Sequence, residues 1–183
     1  MEKQDYFTNK LLIAMPSMVD INFNRSVVYI EEHNQDGAIG IIINKTMDLT
    51  VANLLAHLDI PIKNSDEATQ QVFIGGPVSQ EQGFVLHENK LTSDPNHPLN
   101  ISTSKEVLTQ IGQGTGPVEY IITLGYAGWE PGQLEKEIIA NDWLVAPYNP
   151  DIILRTPASN RWEQAAKLIG ININHLSGQT GHA

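Results

Sequence analysis

The 183-residue chain predicts a single α+β domain over residues 1–183, with helices flanking a mixed β-sheet arranged either as one sheet or as two packed or barrel-like sheets. Three observations carry this. An apolar hairpin opens the chain, where a doubly wound fold would open with a βαβ unit. Helical and extended patterns then follow irregularly, with no internal repeat, low-complexity segment or linker between them. A chain of this length buries about 70% of its unfolded surface, enough for one core.

Residues 26–33 (SVVYIEEH) and 38–43 are β-branched and aromatic, and Asn34-Gln35-Asp36-Gly37 between them has the composition of a turn. The second strand is apolar on both faces, which predicts a central, doubly covered position; Gly40 leaves room for close packing or a bulge. Thr50 suits the N-cap of a helix over 51–58, with Leu54, Leu55 and Leu58 as its buried stripe and Pro61 closing it. A polar loop over 64–70 leads to a strand at 72–74, the corner Gly75-Gly76-Pro77, and a strand at 83–87. Two prolines without periodicity mark 89–100 as a surface loop. Thr103-Ser104-Lys105-Glu106 reads as a capping box for a helix to about Ile111, which the glycine-rich 112–116 ends before a buried strand at 118–124. Pro131 suits the first turn of a helix whose Leu134 and Ile138 face the core. Residues 143–146 and 152–154 read as short strands, 160–170 as the last helix, and 177–183 as a loose tail.

Charge narrows the function classes. Lys and Arg number 11 against 21 Asp and Glu, a net charge of −10. Duplex-binding surfaces are basic, so nucleic acid is not an expected partner. The absence of cysteine removes disulfides, thiol nucleophiles and cysteine-ligated metals. The longest early apolar run, residues 11–15, is too short for a membrane span or a typical signal core. A cytoplasmic protein without membrane contact is expected.

Several blocks then stand together: Leu12-Ile13-Ala14-Met15-Pro16, Arg25 with the strand after it, His33-Asn34, Gly37-Ala38-Ile39-Gly40, Asn44, Gly75-Gly76-Pro77-Val78, Gly83-Phe84, residues 124–129 (LGYAGW), Gln133-Leu134-Glu135 and Trp143. In that order, from about Phe7 to Gly170, the chain closely resembles the YqgE/AlgH family of small bacterial proteins. The resemblance implies a single-domain α+β fold with helices around a mixed sheet. It also implies a regulatory expectation, since part of the family name carries a proposed link to control of alginate production.

Nucleotide and hydrolase motifs fail on context. The stretch Gly112-Gln113-Gly114-Thr115-Gly116 follows a helix and precedes a strand, the reverse of a dinucleotide turn, so it reads as a connector. No G-x-S-x-G elbow exists, and Ser17 and Ser79 read as turn serines. On one strand Ser26 and His33 lie roughly 23 Å apart on opposite faces. Glu31 and His33 share a strand face but read as a charged strand end, and no paired histidine spacing exists. His57 and His87 read as structural; His97, His175 and His182 read as surface residues. No metal and no cofactor are expected.

The candidate site residues are therefore Arg25, His33, Asn44, Gly75, Gly76, Pro77, Tyr126, Trp129, Gln133 and Glu137. Arg25, His33, Asn44 and Glu137 fall at element ends or exposed helix turns. The two glycine corners, Gly75-Gly76-Pro77 and residues 125–129 (GYAGW), let backbone approach a ligand, or they are tight turns with Trp129 as a core anchor. Gln133 and Glu137 share a helix face at i, i+4. Pro131's helix start favours an anion, and Glu130 opposes one. The leading expectation is binding of a protein partner or a small ligand, with the oligomeric state left open. A small hydrolase or transferase is the alternative, with His33 as base, Arg25 as anion clamp and Glu32 or Glu137 as carboxylate. A DNA-binding regulator is the third, on the family resemblance alone.

Overall fold

Leu11 and Ile13 are fully buried on one face and Leu12 and Ala14 on the other, because β1 (Lys10–Ala14) lies between two antiparallel neighbours with both faces covered. These neighbours are β2 (Val27–Asn34) and β9 (Trp143–Pro147). This computed structural model describes residues 6–63, 69–88 and 98–176. The tail at 177–183, His97, His182 and most of the loops expected at 64–70 and 89–100 lie outside the described residues.

The apolar run at 11–15 is thus a central strand. β2 continues through a two-residue loop into β3 (Gly37–Ile42), tighter than the four-residue turn expected, and Asn34 Oδ1 accepts from the Asp36 N–H at its tip. β3 is central as predicted, pairing with β2 and with β8 (Tyr120–Trp129). Its exception is Ile39, which is 40% exposed. β4 (Thr46–Thr50) and β5 (Gln71–Ile74) pair antiparallel, and β5 runs parallel to β8. β6 (Val78–Glu88) and β7 (Leu99–Ser102) complete a nine-stranded mixed sheet, with β6 against β8 and β7 outermost. β4 and β9 end its main path without pairing to each other, so the sheet does not close into a barrel. Among the described residues β8 alone pairs with three strands, β3, β5 and β6, and the sheet branches around it.

Three apolar clusters cover the sheet. Leu11, Ile13, Tyr29 and Ile41 pack beneath α4 (Arg161–Lys167) and α5 (Ile173–Leu176). The opposite face, with Leu12, Val28 and Ile30, packs against α3 (Gln133–Ile139) and Phe23. Val51 and Leu55 of α1 (Val51–His57) and Ile111 of α2 (Lys105–Gln113) cover the β5–β6–β8 branch. Thr50 caps α1 as predicted, accepting from the Asn53 N–H at 3.2 Å. Leu58 is that helix's C-cap and is partly exposed, so the buried stripe is Val51 and Leu55. Ser104, not Thr103, caps α2; this puts Glu106 at the second helical position, where it donates its backbone N–H to Ser104 Oγ. Gly114 closes α2 in the left-handed conformation, which makes the glycine-rich stretch a helix-to-strand connector.

Residues 152–154 are not a strand. Asp151–Arg155 forms a π-helical turn, begun by Asn149 Oδ1 accepting from the Ile152 N–H and closed by Thr156 N–H to the Asp151 carbonyl. Adjacent buried isoleucines resemble a doubly covered strand, and the Asn149-Pro150-Asp151 helix start outweighs them. The helix expected at 160–170 is α4, shorter than expected, preceded by a 3₁₀ turn at Ala158–Asn160 and ended by a turn through Gly170, after which α5 is the last helix. Arg161 fastens it: 4% exposed, it donates to the Ile43 and Thr156 carbonyls and lies 4.9 Å from the Phe73 ring centroid. Burial pulls its pKa down to about 10. Among the described residues no helix is long and apolar enough to cross a membrane.

Candidate functional site

The two glycine corners meet each other. The Gly75 N–H donates to the Leu124 carbonyl, and its own carbonyl accepts from the Ile42 N–H, both at 2.7 Å. A Cβ at Gly76 would stand 2.1 Å from the Tyr126 carbonyl carbon, and one at Gly125 would stand 2.4 Å from the Gly76 oxygen. Gly125 also has φ +77, a conformation side chains disfavour. Glycine here allows backbone to pass backbone where β8 exchanges β5 for β3 as its neighbour. Pro77 follows that contact and leads into β6.

The polar candidates divide into local clusters. Asn44 Oδ1 accepts from the Val27 N–H at 2.8 Å and its Nδ2 donates to the Arg25 carbonyl at 2.9 Å, clasping the start of β2. The Arg25 guanidinium lies 4.3 Å over the Trp162 ring. His33, at the other end of β2, is 3% exposed. Its Nδ1 accepts from the Phe7 N–H, so the neutral tautomer carries its proton on Nε2, 3.2 Å from Glu135 Oε1. The imidazole stacks on Phe7 and meets Tyr6 edge-on. The structure therefore does not bring Arg25 and His33 together.

Glu137 is the hub of a third cluster. Its Oε2 accepts from the indole N–H of both Trp129 and Trp143 at 2.9 Å, and its Oε1 accepts from Gln133 Nε2 at 2.8 Å. Gln133 Oε1 in turn accepts from the Glu130 N–H. The i, i+4 pair thus shares a helix face as expected, facing the two tryptophans. Trp129 is 6% exposed and packs against Phe23 and Trp143, which makes its ring a core anchor.

On the exposed sheet face beside this anchor is an open groove of about 600 Å³. Tyr126 and Trp129 line it, joined by Glu32, Asp36, Gly128 and Glu130; Arg25, His33, Asn44 and the Gly75-Gly76-Pro77 corner do not. Its floor is a cross-strand row, Glu32 beside Ile39 and Ile39 beside Gly128. Tyr126, held edge-on to Phe84, stands on the same face. Gly128 differs from the corner glycines. Its φ lies outside the left-handed region, and a Cβ there would meet nothing nearer than Tyr126 Cε2 at 3.9 Å. The backbone does not require glycine at this position, and the missing side chain leaves the sheet face hollow.

Among the described residues, charge lining the groove is one-signed: Glu32, Asp36 and Glu130 with no basic residue. The helix beyond Pro131 starts at Gln133, not in the turn at Pro131 itself, and with Glu130 before it does not offer an anion site. Elsewhere carboxylates are neutralised: Arg155 holds Glu88, Glu119 and Asp151 at 2.6–2.7 Å, which raises its pKa further. A second concavity, about 360 Å³, is lined by His87, Glu88, Thr115, Gly116 and Glu119. Among the described residues no three metal-ligating side chains converge. Ile39 and Asp36 were not distinguishable as site residues from sequence, and Gly128 stood there only as one of the corner glycines. What sets Gly128 apart is its pairing with Ile39, which register alone reveals.

Comparisons with known proteins agree with this architecture. Residues 11–174 match the family described as AlgH-like. A UPF0301 protein of Coxiella burnetii (strain Dugway 5J108-111) is 46% identical over 183 residues, covering 100% of both chains. A UPF0301 protein of Nitrosococcus oceani is 45% identical over 187 residues, again covering 100% of both. The solution structure of the AlgH protein from Pseudomonas aeruginosa superposes with a TM-score of 0.77 at 40% identity, covering 100% of this chain and 99% of that one. A crystal structure of a Corynebacterium diphtheriae protein gives 0.74 at 25% identity, covering 97% and 94%.

Proposed function

The chain belongs to the AlgH-like family, and from that premise we propose that it acts by binding a protein partner or small ligand in the groove between the hairpin tip and the end of β8. One observation supports this most: Gly128 sits in a strand where neither its φ nor its neighbours require glycine. Glycine inside a strand costs about 0.5–1 kcal/mol relative to alanine. A residue that weakens the strand and hollows a lined groove fits a surface kept open for an occupant. Tyr126 supplies an aromatic wall and Ile39 an apolar floor. Arg25, His33 and Asn44 act through the scaffold in this reading, and Gln133 and Glu137 fix Trp129 behind the groove. A regulatory role follows where the occupant is another protein, and the cytosol is the proposed compartment, which cell fractionation tests.

Gly128→Val tests the reading directly. Valine favours the strand, so the thermal midpoint should hold or rise by about 1–4 °C while the side chain fills the groove. Ligand-induced thermal shifts across a metabolite panel, and crosslinked partners from lysate, should be lost. Unchanged binding in the folded variant would place the contact surface elsewhere.

A further inference from the structure

We infer that the groove takes an extended basic segment of a partner protein, its Lys or Arg side chains received by Glu32, Asp36 and Glu130; this rests on the groove reading above. The three carboxylates come from three separate segments: β2, the hairpin tip, and the link from β8 to α3. Among the described residues none of them has a cationic partner, whereas Glu88, Glu119 and Asp151 all share Arg155. Among the described residues Glu32 accepts only from the Asn34 amide. The molecule therefore neutralises one group of carboxylates itself and leaves this group facing an open groove.

Shape decides between a small cation and a chain. The floor is a sheet face, and the Glu32–Ile39–Gly128 row is two residues, about 7 Å, from the Asn34–Gly37 row that ends at the tip. Side chains at i and i+2 of an extended segment have that same spacing. Ile39 and Tyr126 present apolar surface for the methylene stems of Lys or Arg, while the charged heads reach the acidic rim. The net charge of −10 reinforces attraction of such a segment and opposes phosphate-bearing partners.

The test uses the full chain and a fluorescein-labelled hexapeptide alternating arginine with alanine, read by anisotropy. A glutamate–alanine peptide and argininamide serve as comparisons. The arginine peptide should bind and weaken with added sodium chloride, the glutamate peptide should not bind, and argininamide should bind less tightly. Glu32→Gln, Asp36→Asn and Glu130→Gln should each weaken it about two- to fivefold, as for exposed ion pairs. The triple variant Asp48→Asn, Asp59→Asn, Glu106→Gln, which removes three charges from exposed positions elsewhere, more than any single groove variant, should bind as the parent does. Equal binding of the two peptides, equal loss in that triple variant, or argininamide binding as tightly as the peptide overturns the inference. If the arginine peptide fails while another ligand is lost in Gly128→Val, the basic segment is wrong and the groove stands. If Gly128→Val binds the arginine peptide unchanged, both fail.

Discussion

Glu137 is the most exacting place to test the packing behind the groove. Its carboxylate accepts from two indole N–H groups on tryptophans that are 6% and 3% exposed, and from Gln133. A hydrogen bond to a charged group contributes about 1.5–3 kcal/mol, and a buried donor left unpaired costs about 1–3 kcal/mol. Glu137 is half-buried, so water reaches part of the space that Glu137→Ala would open, and the two losses are not additive. The expected cost is about 2–4 kcal/mol, a drop of about 4–16 °C in thermal midpoint. Glu137→Gln keeps an acceptor for the indoles but turns an amide donor toward Gln133 Nε2, so about 1–2 kcal/mol is expected. Urea unfolding at neutral pH, followed by tryptophan fluorescence, measures both. An alanine variant within about 0.5 kcal/mol of the parent, or equal losses in the two variants, would refute this account of Trp129 and Trp143.

Gly76→Ala should fail to accumulate as folded protein or lose about 4 kcal/mol or more, because its Cβ would overlap backbone that cannot turn aside; Gly128→Ala should be neutral or stabilising. Soluble yield and urea midpoints compare the pair, and a well-folded Gly76→Ala would refute the close approach of the corners. Glu31 is held above the usual carboxylate range by burial and by the neighbouring Glu32. The folded chain thus binds that proton more tightly than the unfolded one, and the resulting stabilisation is lost as pH rises through the raised value. Glu31→Gln should accordingly flatten the decline of the urea midpoint from mildly acidic to neutral pH, and an unchanged slope would reject the assignment.

Local signals were legible without the structure. The hairpin, the Thr50 cap, the α2 stop at Gly114 and the helix after Pro131 all depend on residues close in sequence, where backbone propensity and capping act. The ordered family blocks were legible for the same reason. Residues 152–154 misled because two buried isoleucines suit a covered strand and a π-helical turn equally, and the hydrogen bond that Asn149 Oδ1 accepts from the Ile152 N–H favours the turn. β1 read only as an apolar run, since a strand's place in a sheet depends on its neighbours.

The glycines show the same division most sharply. Sequence placed Gly75, Gly76, Gly125 and Gly128 in two corners and could not separate their roles, because all four lack a side chain. Register separates them. Three are pressed against backbone from a distant strand, and the fourth faces an open groove beside residues 89 and 96 positions earlier, Ile39 and Glu32. Sequence determined the hairpin, the helix caps and the acidic net charge. Only the tertiary structure decided which carboxylates Arg155 neutralises and which stand over a hollow in the sheet, because cross-strand rows join residues that local propensity never compares.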